Sequence, residues 1–464
     1  SSKGRLLVQN ILFRADSSST IGTGHIMRDL VLASKYKNAN IIFATQNLDG
    51  NINSKIKEAG YKIELLLSND VAEFITVVKK YEADLIVIDN YTIDFKYEQR
   101  LKEKTGVKIL AFDDTYERHH CDIVLNHNIS ADKTKYKGLV PSTCELQCGS
   151  KYTLLRDEFY QEYPKQRDTK DINILIAMGG VDSRELNIKI LDALKSFENI
   201  NLDVLTTTAN KSLSDLKSYA ADFDNITLHI NSSEVAKLMH KNDFAILTPS
   251  VTVNEAYFMK LPFIAIKTED NQIDIYNYLK NNNFSVLDHF NAKLLDKEIE
   301  HMVNRVHSKL INFTQLTLDE KKMVLEWRNS EAIKKWMYNR SDITLKEHLD
   351  YLESLNTKED RVYFLLKGSR DYLGVVDLTD IEKEKSTELG IYTNPELKGY
   401  GALLMSKIIE YAFGELNLKT LRANVYNDNL KAITLYERFN FKTVDIVEDK
   451  NGKLQSMELK NEDR

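Results

Sequence analysis

Apolar stretches alternate with amphipathic helical segments through much of this 464-residue chain, and that alternation is what most limits its fold. The first series predicts strands at 6–13, 40–44, 84–89, 107–112 and 122–126. The polar stretch 163–169 contains a proline and is typical of a linker. The second series predicts strands at 173–178, 202–206, 226–229, 243–248 and 262–267, closed by a helix at 296–309. Such alternation favours parallel sheets covered by helices, so we expect two Rossmann-like lobes, residues 1–165 and 166–310.

The pattern changes near residue 310. Helical segments are predicted at 317–329 and 345–355, followed by strands at 362–367, 372–379, 387–393 and 420–426. Polar and apolar residues alternate more clearly in these strands, which is typical of an antiparallel or mixed sheet. The predicted fold class is therefore α/β, with two Rossmann-like lobes followed by an α+β domain at 311–464.

Composition excludes several classes of protein. The net charge of −6 argues against a nucleic-acid-binding chain. No apolar run approaches the ~20 residues that span a bilayer, and no segment near the start resembles a signal peptide, so we expect no membrane partner. Three cysteines cannot form a full disulfide framework and indicate a cytoplasmic protein. The oligomeric state is left open.

The three cysteines could instead be ligands of a metal ion. Cys121, Cys144 and Cys148 lie near His119 and His120 in the sequence, and Cys and His are the usual ligands of zinc. The spacing is loose, however, and a second close pair of cysteines is missing. We therefore predict buried free thiols and no metal.

The loop after the first predicted strand carries the first candidate site. The chain reads R-A-D-S-S-S-T-I-G-T-G-H-I-M-R-D-L, and a helical pattern begins near Gly24 and His25. Gly22 and Gly24 leave backbone amides unshielded, so an anion can approach the helix N-terminus. An imidazole beside an anion site is a candidate general base, although a histidine at a helix start can also cap the helix or fill space. The loop lacks a dinucleotide fingerprint and a phosphate-loop Lys-Ser/Thr, so the ligand stays unnamed at this point.

A second candidate site lies in the last domain. The segment Lys398-Gly399-Tyr400-Gly401-Ala402 follows a strand and opens the helix L-L-M-S-K-I-I-E-Y-A-F, a geometry that can hold a pyrophosphate. Further on, N-D-N-L-K-A-I-T-L-Y-E-R-F-N-F predicts a helix with Asn429 as its cap. Tyr436 lies two turns into that helix.

These two segments together resemble the acetyl-coenzyme A-dependent N-acetyltransferase superfamily (GNAT). The match rests on G-x-G-A at 399–402 and on Asn429, Ala432, Leu435, Tyr436 and Phe441. The resemblance implies acetyl-CoA as cosubstrate. Its pyrophosphate would be held by Leu397, Lys398, Gly399, Tyr400, Gly401 and Ala402, with Asn429 near the pantetheine or pyrophosphate arm.

The same resemblance implies that Tyr436 protonates the leaving thiolate, a role that suits a phenol. The alternative for Tyr436 is a core tyrosine on an amphipathic helix. Glu396 departs from the superfamily, which usually has Gln or Arg there, so only backbone contacts to the pyrophosphate are expected. Glu388, on the strand beside the cleft, is the candidate for binding the amine substrate and accepting its proton.

Separated motifs in the first 290 residues carry a second resemblance. They are the opening run, D-N-Y-T-I-D at 89–94, F-D-D at 112–114, C-D-I-V-L-N at 121–126 and S-V-T-V-N-E-A at 250–256. Together they resemble the UDP-sugar hydrolases of pseudaminic acid biosynthesis (PseG type), which share the two-lobed GT-B fold. Likewise E-W-R-N at 326–329 and N-P-E-L-K-G-Y-G resemble the N-acetyltransferase of that pathway (PseH type).

The hydrolase resemblance implies residue roles. His25 would activate or position the water that attacks the anomeric carbon, with Asn254 near the diphosphate and sugar and Tyr91 facing the cleft. Asp16 would orient an imidazole or cap a turn, and Asp113 and Asp114 would stabilise loops. The residues expected around the nucleotide-sugar are Asp16, Gly22, Gly24, Gly180, Ser250 and Glu255.

The two resemblances together imply a bifunctional enzyme. Its C-terminal domain would acetylate UDP-4-amino-4,6-dideoxy-N-acetyl-β-L-altrosamine with acetyl-CoA. Its N-terminal lobes would hydrolyse UDP-2,4-diacetamido-2,4,6-trideoxy-β-L-altropyranose to UDP and the free sugar. One alternative is a GT-B glycosyltransferase fused to an acetyltransferase of another amino-sugar or of protein N-termini. Another is a binding module in which one half only senses UDP-sugar or acetyl-CoA.

Overall fold

The computed structural model describes residues 8–164 and 170–464 of the chain. Packing divides the chain into two compact units, residues 1–296 and 297–464, which are described in turn. The predicted linker at 163–169 lies largely outside the described residues, as do the first two positions of the predicted strand at 6–13. Within the described ranges, no helix is both long enough and apolar enough to cross a bilayer.

The first unit begins with a seven-stranded parallel sheet. Its elements are β1 (Gln9–Ala15), α1 (Gly24–Lys35), β2 (Ala39–Gln46), α2 (Asn53–Glu58), β3 (Lys62–Leu66), α3 (Val71–Lys80), β4 (Leu85–Asp89), α4 (Phe95–Thr105), β5 (Lys108–Phe112), β6 (Ile123–Asn126) and β7 (Glu145–Cys148). The strand order is β3-β2-β1-β4-β5-β6-β7. This confirms the predicted Rossmann-like lobe. In this sheet the sequence pattern misses only the two edge strands, β3 and β7. Both are short, and polar residues interrupt their apolar residues.

A second parallel sheet of six strands completes the first unit. Its elements are β8 (Ile172–Ala177), α5 (Leu186–Leu194), β9 (Ile200–Thr206), α6 (Leu213–Ala221), β10 (Ile226–Ile230), α7 (Val235–Lys241), β11 (Phe244–Leu247), α8 (Val251–Phe258), β12 (Phe263–Ile266), α9 (Ile273–Asn281) and β13 (Ser285–Leu287). Helix α10 (Ala292–Arg305) follows, and its residues from 297 onward belong to the second unit. The order β10-β9-β8-β11-β12-β13 again confirms a Rossmann-like lobe. The helix predicted at 296–309 is α10, which begins and ends four residues earlier than predicted because the chain turns into the next sheet.

The second unit is an α+β domain around a seven-stranded mixed sheet. Its elements are β14 (Lys309–Asn312), α11 (Leu318–Asn329), α12 (Glu331–Lys334), α13 (Leu345–Ser354), β15 (Val362–Lys367), β16 (Tyr372–Glu382), β17 (Ser386–Thr393), α14 (Gly401–Glu410), β18 (Thr420–Tyr426), α15 (Leu430–Arg438), β19 (Lys442–Asp449) and β20 (Gly452–Lys460). The order is β14-β15-β16-β17-β18-β20-β19, and among the described strands of this sheet only β17 and β18 pair in parallel.

Helix α14 covers one face of this mixed sheet. Leu404 and Ile408 of α14 are fully buried and belong to one apolar cluster with Val376 and Leu378 of β16 and Leu389 of β17. Side chains of a strand alternate between the two faces of a sheet. Asp377 and Glu388, which are neighbours of these buried residues in sequence, therefore lie on the opposite face.

Beneath the first sheet's loops, a buried ion pair joins the ends of three strands. Arg14 is fully buried, with Nη1 2.9 Å from Asp16 Oδ1 and Nη2 2.8 Å from Asn69 Oδ1. Asp16 also accepts hydrogen bonds from Gln46 at the end of β2 and from Asn90 after β4. Burial opposes ionisation, but the hydrogen bonds and charge of Arg14 lower the pKa of Asp16. The expectation that Asp16 orients an imidazole is wrong, because Arg14, Gln46 and Asn90 occupy its carboxylate.

Replacing Arg14 tests how much this ion pair stabilises the first unit. We expect Arg14→Met to lower the free energy of unfolding by about 3–5 kcal/mol, because it leaves the buried Asp16 carboxylate without its partner. Urea denaturation followed by circular dichroism measures this loss. Arg184→Met is the matched control at an exposed position and should change stability by about 0.5 kcal/mol or less. Equal stability of the two variants would contradict a structural role for the Arg14–Asp16 pair.

Candidate active sites

The loop between β1 and α1 holds open backbone amides, as the sequence predicts. Ser18 and Gly22 exchange backbone hydrogen bonds of 3.3 and 2.8 Å, and the turn requires a positive φ of 86° at Gly22. A Cβ at Gly24 would meet no atom within 4 Å, so the space beside this residue is open. Among the described residues, no side chain caps the N-terminus of α1. The first turn of α1 therefore presents free N–H groups to a bound anion.

His25 lies in this first turn, and a carboxylate holds its ring. Its Nδ1 is 2.6 Å from Oδ1 of Asp89, the last residue of β4. The two meet because β1 and β4 are adjacent, with Ala15 opposite Asp89. An ionised Asp89 accepts from Nδ1, which leaves Nε2 as the proton acceptor of the imidazole. The Tyr91 ring packs edge-on against His25 with centroids 4.7 Å apart, so the ring is held from two sides.

Arg28 keeps Asp89 ionised although the carboxylate is almost fully buried. Its Nε lies 2.6 Å from Oδ2 and its Nη2 2.5 Å from Oδ1 of Asp89. Burial raises the pKa of Asp89, but the charge and hydrogen bonds of Arg28 outweigh it, and His25 adds to them, so the pKa falls well below its ordinary value. Asp29, one turn beyond His25, behaves in the opposite way. Its burial and the adjacent charge of Asp89 raise the pKa of Asp29.

Two further carboxylates follow β5. Asp113 accepts from the backbone N–H groups of 115–117 at 3.1, 2.7 and 3.0 Å, so it stabilises its loop as predicted. Asp114 lies elsewhere, 3.3 Å from Arg28 Nη1, and accepts from the Tyr91 hydroxyl at 2.9 Å. Asp114 therefore extends the His25 cluster rather than only holding a loop.

The sequence interpretation missed Asp89, Arg28 and Asp29 as parts of this site. Asp89 begins the quoted motif D-N-Y-T-I-D and ends a predicted strand. Carboxyl ends of neighbouring parallel strands meet at one sheet edge, so the position of Asp89 was the signal for a partner of His25. Arg28 follows His25 by three residues, which places both on one side of α1.

Asn254 lies on α8, beside the second sheet, and its side chain forms hydrogen bonds with the loop that follows β6 of the first sheet. It is 1% exposed, accepts from the Ile129 amide at 3.0 Å and donates to Asn128 Oδ1 at 3.0 Å. These partners follow β6. The structure thus uses the Asn254 amide to hold the loop after β6, and its hydrogen bonds do not include His25.

Of the other residues predicted around the second sheet, Gly180 and Ser250 lie just after the carboxyl ends of β8 and β11, and Glu255 lies within α8. Gly180 accepts from Thr207 Oγ1 at 2.8 Å, and a Cβ at 180 would come within 2.6 Å of Thr207 Cγ2. Ser250 is the N-cap residue of α8, with its hydroxyl 3.0 Å from that of Thr248. Burial raises the pKa of Glu255 to about 7, against the charge of Arg156 3.8 Å away. Ligands of open parallel sheets bind at this end.

The sheet of the second unit opens between β17 and β18. Their parallel pairing runs from Ser386↔Thr420 to Glu388↔Arg422 and ends there. Beyond Glu388, β17 stays paired with β16 and β18 with β20. The facing edges of β17 and β18 therefore carry backbone N–H and C=O groups that can bind an extended ligand.

The predicted pyrophosphate loop lies at the start of α14. Gly399 has a φ of 87°, and no side chain in the described chain caps α14. The Tyr400 side chain is buried, accepts from Asn304 Nδ2 at 3.0 Å and stacks on His301. Gly401 faces Leu435 of α15, 3.2 Å from where a Cβ would be. The loop thus offers backbone amides, while the Tyr400 ring anchors it to α10.

Tyr436 is a buried phenol on α15. It is 4% exposed, and the Phe441 ring packs edge-on against it at 5.1 Å. Burial, followed by the charges of Asp377, Tyr338 and Glu388, raises the pKa of Tyr436 above its ordinary value. A phenol that keeps its proton at neutral pH can give it to a stronger base such as a thiolate. Asn429 caps α15 through the Ala432 amide at 3.3 Å, as predicted.

Glu388 lies where β17 and β18 part. Its Oε1 accepts from the Tyr338 hydroxyl at 2.7 Å and from Asn424 Nδ2 at 3.2 Å. Tyr338 and Asn424 also line a cavity of about 710 Å³. The remaining lining residues are Asn339, Val447, Glu448, Asp449, Lys450 and Leu454. The cavity therefore borders the two side chains that donate hydrogen bonds to Glu388.

The cysteines are free thiols in the structure. Cys121 is buried, Cys144 and Cys148 are half-buried, and the Sγ atoms of Cys121 and Cys144 are 3.9 Å apart. Across residues 8–164 and 170–464, no cluster of His, Cys, Asp and Glu is arranged to hold a metal ion.

Comparison with known proteins separates the same two parts. Residues 311–442 match the acetyltransferase (GNAT) domain family. The UDP-2,4-diacetamido-2,4,6-trideoxy-β-L-altropyranose hydrolase of Campylobacter jejuni is 40% identical over 276 residues, 60% of this chain and 98% of that protein. The acetyltransferase PseH of C. jejuni is 41% identical over 143 residues, 31% of this chain and 88% of that protein.

A solved structure matches the second part as well. The crystal structure of C. jejuni N-acetyltransferase PseH in complex with acetyl coenzyme A is 36% identical, covers 33% of this chain and 99% of that chain, and has a TM-score of 0.28. By its sequence relatives, this chain belongs to two families joined in one polypeptide, the altropyranose hydrolases in its N-terminal part and the PseH acetyltransferases of the GNAT superfamily in its C-terminal part.

Proposed function

We propose that this chain catalyses two consecutive steps of pseudaminic acid biosynthesis. The C-terminal unit acetylates the 4-amino group of UDP-4-amino-4,6-dideoxy-N-acetyl-β-L-altrosamine with acetyl-CoA. The N-terminal unit then hydrolyses UDP-2,4-diacetamido-2,4,6-trideoxy-β-L-altropyranose to UDP and the free sugar. The observation that carries the proposal is the His25–Asp89 pair beside an open helix N-terminus, in a chain that also holds a split sheet with a buried phenol.

In the hydrolytic site, His25 is the base. Its Nε2 takes a proton from the water that attacks the anomeric carbon, and the bond from that carbon to the UDP oxygen breaks. Asp89 accepts from Nδ1 and stabilises the imidazolium that forms. We place Tyr91 and Asn254 near the reacting sugar of the bound nucleotide-sugar. The residues near the diphosphate and its surroundings are Gly22, Gly24, Gly180, Ser250 and Glu255, while Asp16 supports the loop after β1 from inside the fold.

In the acetyl-transfer site, the opening between β17 and β18 takes the pantetheine arm. The pyrophosphate binds the amides of residues 397–402, and Asn429 lies beside the arm. The acceptor amine enters from the cavity lined by Tyr338 and Asn424 and attacks the thioester carbonyl carbon. As the C–S bond breaks, Tyr436 gives its proton to the thiolate.

The three free thiols support a reducing compartment, so we place both reactions in the cytoplasm. The product of the acetyl transfer is the substrate of the hydrolysis, which gives the fusion a chemical reason. A glycosyltransferase is the second candidate, since the same base could deprotonate an alcohol in place of water. The domain division 1–165, 166–310 and 311–464 remains our proposal for the three folding parts.

Product analysis by mass spectrometry tests the two activities in one chain. With the 4-amino UDP-sugar and acetyl-CoA, we expect free diacetamido sugar, UDP and coenzyme A. His25→Asn should lower UDP release by about 10²-fold or more and accumulate the acetylated UDP-sugar, because only the water-activating base is lost. Tyr436→Phe should lower acetyl transfer by about 10²-fold yet hydrolyse the supplied diacetamido UDP-sugar normally.

Each of those variants serves as the folding control for the other. His289→Asn and Tyr160→Phe, at exposed positions, are matched substitutions that should leave both rates unchanged. Release of UDP only after an alcohol acceptor is added would contradict hydrolysis and favour the glycosyltransferase.

Asp89→Asn tests the orientation of His25. We expect UDP release to fall by about 10²–10⁴-fold, because the amide no longer stabilises the imidazolium and can favour the wrong tautomer. Binding of UDP, measured by calorimetry, and acetyl transfer by the same molecules should both be retained. Asp215→Asn, on the exposed side of α6, is the matched control. An Asp89→Asn enzyme with a normal rate of UDP release would show that His25 does not depend on Asp89.

A further inference from the structure

The acceptor substrate of an N-acetyltransferase is protonated at neutral pH and needs a base before it can attack. Asp377 is a carboxylate on the sheet face opposite α14, in the middle of β16. Its neighbours across the strands are Tyr363 of β15 and Gly390 of β17. Among the described residues, no hydrogen bond or ion pair reaches its carboxylate, although the side chain is at most half-exposed. The Asp377 oxygens are therefore available to accept a proton from a bound group.

Gly390 determines where this carboxylate points. A Cβ at position 390 would overlap the carboxylate of Asp377, so the side chain extends across the backbone of β17 where the glycine leaves room. At position 390, β17 is paired with β16 on one side, and its pairing with β18 has already ended at Glu388. The carboxylate of Asp377 therefore lies over the strand that borders the opening in the sheet.

Glu388 shares this face of the sheet but has a different environment. Thr379 lies opposite Glu388, so Asp377 and Glu388 are diagonal neighbours on the same face, typically about 7–8 Å apart. Glu388 already accepts hydrogen bonds from Tyr338 and Asn424. Both carboxylates also act electrostatically on Tyr436, so the three groups influence one another's ionisation. Glu388 is thus held by two partners at its Oε1, whereas no hydrogen bond to either oxygen of Asp377 is found among the described residues.

We propose that Asp377 is the base that takes the proton from the acceptor ammonium, while Glu388 holds Tyr338 and Asn424 at the cavity; this inference rests on the proposed acetyl transfer. The ammonium gives one proton to the Asp377 carboxylate, and the neutral amine forms the C–N bond to the thioester carbon. The C–S bond then breaks, Tyr436 protonates the sulfur, and the phenolate regains a proton from the acylated nitrogen. Asp377 returns its proton to solvent, so atoms and charge balance.

The surroundings of Asp377 match this role. Burial, and then the negative charge of Glu388, raise the pKa of Asp377 to about 7. The titratable groups that act on it from the packed elements are Tyr363 of β15, Glu388 and Tyr392 of β17, and Tyr436 of α15. A base with a pKa near the working pH combines a large ionised fraction with enough basicity to accept a proton.

The pH profile of acetyl transfer tests the proposal on the full chain, with the 4-amino UDP-sugar and acetyl-CoA as substrates. In the wild type, kcat/KM should fall about tenfold per pH unit below about pH 7, because the base becomes protonated. Asp377→Asn should lower kcat by about 10²-fold or more and remove that acidic limb, with the Kd for acetyl-CoA unchanged. Asp380→Asn, exposed on the same strand, is the matched control and should keep both rate and limb.

Gly390→Ala tests the geometry without changing any charge. The added Cβ displaces the Asp377 carboxylate, so we expect kcat to fall about tenfold or more while the KM for acetyl-CoA is retained. Gly414→Ala is the control, since its Cβ would meet no atom within 4 Å.

The outcomes separate this inference from the proposed function. A wild-type enzyme that does not acetylate the 4-amino UDP-sugar overturns the proposed function. An active wild type whose Asp377→Asn variant keeps the acidic limb overturns the inference alone. Loss of the limb in Glu388→Gln together with its retention in Asp377→Asn would assign the base to Glu388 and likewise overturn the inference.

Discussion

Asp89 is a buried carboxylate, and the geometry around His25 depends on the positive charge that compensates it. Removing a carboxylate from water is costly, and the two-pronged contact from Arg28 offsets that cost. Because Arg28 supplies the compensation, Asp89 stays ionised and can still accept from His25. The imidazole consequently has one defined tautomer and one defined orientation. The charge state of Asp89 thus determines which nitrogen of the His25 ring is free to accept a proton.

The same sheet edge holds a second buried carboxylate with a different purpose. Asp16 and Asp89 both follow or end central strands, and both have an arginine partner. Asp16 is enclosed by Arg14, Gln46 and Asn90, so all of its contacts are internal. Asp89 instead directs one oxygen at a ring that lies beside an open helix terminus. Residue type therefore does not separate the structural carboxylate from the functional one, whereas the identity of the neighbours does.

The sequence predicted the architecture well because strands and helices leave periodic patterns. Apolar strands followed by Gly-rich loops predicted both Rossmann-like lobes, and the turn at 399–402 predicted the start of α14. Edge strands such as β3 were missed because exposed strands lack a continuous apolar run. The partner of His25 and the role of Asp377 were missed for a different reason. Each depends on which residues of two strands lie opposite one another, and no pattern within a single segment contains that register.

The anchoring of Tyr400 has a consequence for the energetics of coenzyme binding. Its ring is stacked on His301 and bonded to Asn304, so the loop that carries the free amides is ordered by contacts made during folding. Most of the conformational entropy of that loop is therefore lost before any ligand arrives. A diphosphate that binds there meets donors already in place, and its binding free energy is not reduced by the entropy of ordering them. Helix α10 thereby contributes to the affinity for a diphosphate through its contacts with Tyr400.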